Sequence, residues 1–153
     1  MTTLFAVRNS LFFVCLLLAA VYDLRERMVP NALIACAAFL WISERLLSIL
    51  FLGIPAADLT QDLICALLLA APVFFVSFLF RLLTGKRGIG SGDLKLLIVS
   101  GLYLSYDRIL SVLFLSCLFG LFLSVLSWKG GKKGRTFPFA PAISLSVFLV
   151  MNL

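Results

Sequence analysis

Histidine is missing from all 153 residues, and with it the side chain most used for proton shuttling and metal ligation near neutral pH. Acid–base chemistry in this chain therefore falls to carboxylates, lysines or tyrosines. Charge is scarce too: 13% of residues are charged against 63% hydrophobic, and the mean hydropathy is +1.16. That balance excludes a soluble globular domain. The four cysteines, Cys15, Cys36, Cys65 and Cys117, lie inside apolar runs and form no Cys-x-x-Cys pair, which argues against a zinc knuckle or redox motif and makes them small apolar fillers. The one glycine-rich stretch lacks the Gly-Lys-Ser/Thr ending of a phosphate-binding loop, and an aspartate at its focus would repel a phosphate.

What remains is a succession of apolar segments, roughly 4–22, 32–52, 59–83, 93–107, 109–127 and 137–153, with most charges between them. About 20 residues cross a hydrocarbon core of roughly 30 Å, so these predict an all-α, polytopic membrane protein with about six transmembrane helices. The fourth is the shortest, and the second is interrupted by Ser43-Glu44-Arg45, which marks its outer end or faces inward as a pair. Lysine and arginine set the orientation, because short cytoplasmic loops collect them. Arg25 and Arg27 follow the first segment, Lys86 and Arg87 the third, and Lys129, Lys132, Lys133 and Arg135 the fifth, whereas the other connections offer Asp58, Asp62, Asp107 and Arg108. Odd-numbered segments thus end in the cytoplasm and the N-terminus lies outside. The net charge of +6 follows from this topology and from attraction to anionic lipid, so no nucleic-acid partner is implied. Arg8 followed by Leu11 to Ala20 has the length of a signal peptide, but Leu18 and Ala20 make a poor cleavage pair.

Two aspartates stand out: Asp23, in Tyr22-Asp23-Leu24-Arg25, and Asp93, which closes Gly88-Ile89-Gly90-Ser91-Gly92-Asp93. Charge beside a bilayer is costly, so such residues point to function. The topology puts both on the cytoplasmic side. Taken singly, each has an ordinary explanation: Asp93 as the N-cap of the fourth helix, and Asp23 as a loop residue neutralised by Arg25 or Arg27, with Asn31 capping the second helix. Together they suggest a dyad. Two close carboxylates do not both ionise readily, so one keeps a proton as the acid while the other acts as base on water. That chemistry hydrolyses peptide bonds and needs neither cofactor nor metal. The glycines at 85, 88, 90 and 92 would let an extended peptide approach the backbone.

These residues resemble the type IV prepilin peptidases, membrane aspartic peptidases of the Gly-x-Gly-Asp type. Asp23 with Val29-Pro30-Asn31 is similar to that family's first motif, Gly88-Ile89-Gly90-Ser91-Gly92-Asp93-Leu94-Lys95 to its second, and Pro138-Phe139-Ala140-Pro141 to its late Pro-Phe-Gly/Ala-Pro stretch. The resemblance implies that Asp23 and Asp93 are the catalytic pair, that Gly88, Gly90 and Gly92 shape the loop beside the scissile bond, and that Pro30, Asn31, Lys95, Pro138 and Pro141 support the site. It further implies a single membrane peptidase domain over 1–153 without the cytosolic methyltransferase domain of longer members, similar to the short enzymes of tight-adherence (Flp-type) pilus systems. The implied partner is a Flp-type prepilin, cut at the cytoplasmic face of the bacterial inner membrane, with the lipid bilayer around the enzyme. A small proton-coupled transporter or channel subunit, and a non-catalytic pilus-assembly protein, are the alternatives.

Overall fold

The computed structural model describes residues 2–52, 57–85, 90–128 and 139–152, and among them it contains six α-helices and no strand. They are α1 (Thr2–Glu26), α2 (Asn31–Leu52), α3 (Ala57–Thr84), α4 (Ser91–Gly101), α5 (Tyr106–Trp128) and α6 (Ala140–Asn152). Four stretches are long and apolar enough to cross a membrane: Val7–Glu26, Asn31–Phe51, Leu59–Thr84 and Tyr106–Val125. The protein is a multi-pass membrane protein. The fourth segment differs most from its expected range, ending at Gly101 and not near 107. With 11 residues it rises about 16 Å, too little to span. It stops because Leu102, Tyr103 and Leu104 donate to the carbonyls of Val99, Ser100 and Gly101, tight i to i−3 bonds that wind the chain out of the helix.

Neighbouring helices close into a ring in the order α1, α2, α4, α3, α5, α6, with the two short helices α4 and α6 also touching each other. Each helix turns a stripe of buried residues inward at spacings of three and four: Phe12, Leu16 and Ala19 on α1, Ile34, Ala37 and Trp41 on α2, and Ile109, Val112, Ser116 and Gly120 on α5. Large leucines and phenylalanines are exposed on the outside of the bundle, and inside it the helices approach closely at small residues. α4 approaches α3 closely: a Cβ added at Gly101 would lie 2.4 Å from the Ala66 Cα.

Ser43-Glu44-Arg45 does not end α2; the stripe continues through Glu44, 4% exposed, and Ser48. Glu44 is paired with Arg8 of α1 at 3.1 Å and accepts the Ser48 hydroxyl, while Arg45 Nε and Trp41 Nε1 both donate to Asp62 of α3. Charges buried among helices are tolerated when each is matched and hydrogen-bonded. This cluster ties α1, α2 and α3 together at the end of the bundle remote from Asp23: Arg8 and Asp23 are 15 residues apart on α1, about 22 Å.

Candidate active site

The buried stripe of α1 ends in a carboxylate. After Phe12, Leu16 and Ala19 the next inward position is Asp23, 5% exposed and within the last turn, so it belongs to the helix and not to the loop beyond it. The helix stops one turn later, where Arg27 donates its N–H to the Asp23 carbonyl and takes a left-handed φ of 56°. That conformation normally favours glycine and costs a non-glycine residue about 1–2 kcal/mol. Residues 28–30 then run without helical structure to Asn31, which is the first helical residue of α2.

Asp93 enters on α4. The N-cap is Gly90, in an extended conformation, so Asp93 stands three residues inside the helix and not at the cap. Its carboxylate reaches back to the Gly90 N–H, the acidic half of a capping box. A Cβ at Gly90 would stand 3.2 Å from Asp93 Oδ2, which is why no larger residue fits without displacing the carboxylate.

The three motif stretches are stitched together by specific contacts. Lys95 Nζ donates to Asn31 Oδ1 at 3.0 Å, joining the second motif to the first. Gly92 backs onto Val29, whose Cβ would be 3.1 Å from a Cβ placed there. The Ala140 N–H donates to Asp23 Oδ2 at 3.0 Å, joining the third to the first. Pro141 lies in the first turn of α6, where its missing N–H costs nothing, and Pro30 directly precedes α2 and accepts from the Leu33 N–H. Gly88 and Pro138 lie outside the described residues. Sequence reasoning missed the Ala140 N–H, since a backbone donor has no side-chain signature; the signal was the proline just after it, which marks a helix start.

Each aspartate thus sits at the N-terminus of a short helix, Asp93 in the first turn of α4 and Asp23 facing the first N–H of α6. Both helix ends present positive dipole to a carboxyl group. Asp93, on the 11-residue α4, lies outside the four stretches long and apolar enough to cross a membrane. Burial raises its carboxyl, the charge of Asp23 raises it further and the Gly90 N–H opposes them, leaving it at about 7. Two carboxyl groups of which one keeps its proton can serve as acid and base around one water where they face the same site.

The bond from Ala140 is testable without a change of side-chain charge. Proline fits the first turn of a helix, so Ala140→Pro removes the donor and leaves α6 able to form. A hydrogen bond to a charged group contributes about 1.5–3 kcal/mol, so loss of this one is expected to lower turnover about tenfold or more. Single-turnover rates in vesicles, with helicity checked by circular dichroism, measure it.

A family model described as the type IV leader peptidase family matches residues 10–125. The chain belongs to the type IV leader peptidase family. The matched stretch holds both aspartates, Val29-Pro30-Asn31 and Gly90 to Lys95, so the junction described above lies almost wholly within the family's shared part. Curated relatives agree. A prepilin leader peptidase/N-methyltransferase of Xanthomonas campestris is 30% identical over 136 residues, covering 84% of this chain and 43% of the relative. Proteins of the same name from Pseudomonas aeruginosa, 28% identical over 144 residues (89% of this chain, 46% of the relative), and Neisseria gonorrhoeae, 36% over 73 residues (48% and 25%), are also similar. This member of the leader peptidase family spans less than half the length of those relatives. No solved structure matches it.

Proposed function

We propose that the protein is an aspartic endopeptidase of the bacterial inner membrane that removes the leader from prepilin-like precursors, of the Flp type, at the cytoplasmic face. The observation that carries this reading is the set of contacts that brings the stretches bearing Asp23 and Asp93 together, Ala140 N–H to Asp23, Lys95 to Asn31 and Gly92 against Val29, in a chain of the leader peptidase family; burial, and after it the charge of Asp23, favours the protonated form of Asp93. Asp23 is the base and Asp93 the acid. Asp23 takes a proton from water as its oxygen adds to the scissile carbonyl carbon, and Asp93 protonates the carbonyl oxygen. Collapse of the tetrahedral intermediate then breaks the C–N bond: the proton held by Asp23 passes to the departing nitrogen, and a hydroxyl of the intermediate returns its proton to Asp93 as the product carbonyl forms. Lys95, held on Asn31, and Pro30 keep the two motif stretches in register. Proton-coupled transport draws less support, because the described charges form separate groups at opposite ends of the bundle.

The role of Asp93 fixes the sign of a pH dependence. Its proton is present below about 7 and lost above, so turnover should fall on the alkaline side with a midpoint near that value. The test is cleavage of a Flp-type prepilin in vesicles over a range of about pH 5 to 9, scored by N-terminal sequencing of the product. A flat profile through neutrality would remove Asp93 as the acid, and failure to cut several such precursors would remove the peptidase reading.

A further inference from the structure

We propose that Tyr103 is a positioning residue for the pair of aspartates, setting through α4 where Asp93 stands relative to Asp23; the proposal rests on the peptidase reading above. Two lengths match across the site. Phe12 and Asp23 share the buried stripe of α1, 11 residues apart, while Asp93 and Tyr103 open and follow α4, 10 residues apart. Both separations come to roughly 16 Å along a helix. The remote ends are joined: the Phe12 and Tyr103 rings stack with centroids 3.8 Å apart and planes within 4°. The near ends carry the two carboxyl groups. The stack is thus one side of a frame whose opposite side is the candidate dyad.

Two further contacts stop Tyr103 from sliding. Its hydroxyl donates to the Ala37 carbonyl at 2.7 Å, in a buried setting. The Arg8 guanidinium lies 5.3 Å from the ring centroid, itself fixed by Glu44. With Lys95 bound to Asn31, α4 is attached to α2 at two points, Asn31 near the site and Ala37 farther in. A helix held at both ends has one register. Gly101, against Ala66 of α3, is a fixed point two residues from Tyr103, so loss of the Tyr103 contacts lets α4 pivot there against the exposed Lys95–Asn31 bond and shifts its first turn, where Asp93 is.

Turnover and the ionisation of Asp93 both report that movement. Among the described residues the charged groups at this end are Asp23, Arg25 and Glu26 of α1, Arg27 just past it, Arg81 of α3 and Lys95 of α4; α6 carries none, and α2 none before Glu44. Asp93 moving away from Asp23 loses the charge that helps to hold its proton.

The experiment measures kcat and KM for prepilin cleavage and, independently of activity, the titration of the Asp93 carboxyl by difference infrared spectroscopy, with Asp93→Asn assigning the band. In Tyr103→Phe, kcat is expected to fall about tenfold with KM within about twofold, since small displacements of reacting groups are costly. The Asp93 band is expected to titrate below its wild-type midpoint. A variant that only melts earlier, with kcat and band unchanged, overturns the proposal. Should Tyr103→Phe fail to fold, Phe12→Leu keeps the hydroxyl contact and removes the stack; the same two changes support the proposal and their absence overturns it. Wild type that cuts no prepilin overturns the peptidase reading alone, because the infrared titration still decides whether Tyr103 sets the carboxyl pair.

Discussion

Asp23→Asn and Asp93→Asn are each expected to lower leader cleavage by at least about a hundredfold, the scale of positioned acid–base catalysis, while both variants stay folded in the membrane. The asparagine at 23 still offers an oxygen to the Ala140 N–H, so the junction between α1 and α6 survives. At 93 the gain is larger, because the wild-type carboxyl is raised from its ordinary 3.8 to about 7, which means the fold disfavours its ionised form. The folded protein therefore binds the proton more tightly than the unfolded chain does. Stability contributed by this group is full below about 4 and falls as pH rises toward 7. A neutral asparagine escapes that loss, so Asp93→Asn should match or exceed the wild type in thermal stability at pH about 8 while being inactive. Partial activity in either variant would count against a two-carboxylate mechanism. Wild-type stability that rises with pH through this window would mean Asp93 is not strained by its surroundings.

Gly101→Ala is expected to have the largest effect on the fold itself. A Cβ there would lie 2.4 Å from the Ala66 Cα and 3.1 Å from the Cys65 carbonyl oxygen. Both are backbone atoms, so no rotamer change relieves the overlap and α4 must leave α3. Overpacking typically costs about 1–3 kcal/mol and exceeds that where backbone must move, so a loss of about 3 kcal/mol or more is expected in detergent unfolding. Gly120→Ala is the internal comparison. Its Cβ would come within 2.7 Å of the Phe139 ring, the far end of a side chain that can swing, so the cost should be smaller. Equal losses for the two glycines would show that close approach of backbone is not what joins α3 to α4.

The candidate site was legible in the sequence because its residues are chemically unlike their surroundings. Asp23 and Asp93 interrupt apolar runs, Gly90 and Gly92 cluster, and Pro141 marks a helix start, so the contacts Lys95 to Asn31 and Gly92 to Val29 follow from stretches already singled out. Packing was not legible in the same way. When both faces of a helix are apolar, periodicity of hydrophobicity carries no direction, and inward faces are marked instead by small and polar residues such as Ala19, Ala37, Glu44, Ser48 and Gly120. Glu44 and Arg45 were visible as a pair, yet their partners Arg8 and Asp62 lie on other helices. Nor does a sequence say that an apolar run will be cut short, as α4 is by its 3₁₀ turn.

The second half of α3 has a different consequence. Pro72 has no N–H to offer the Leu68 carbonyl, and the buried positions of this helix end at Ala70. From Phe74 to Leu83 the large side chains are exposed on every side, two of them, Phe74 and Phe78, stacked on each other. These exposed side chains are not fitted into the buried core, so leucine, phenylalanine and valine are interchangeable there in a way that Cys65, Ala66 and Leu69 are not. One helix thus carries two substitution regimes divided at a proline: a narrow one in which volume is fixed to a methyl group, and a permissive one in which only apolarity is kept.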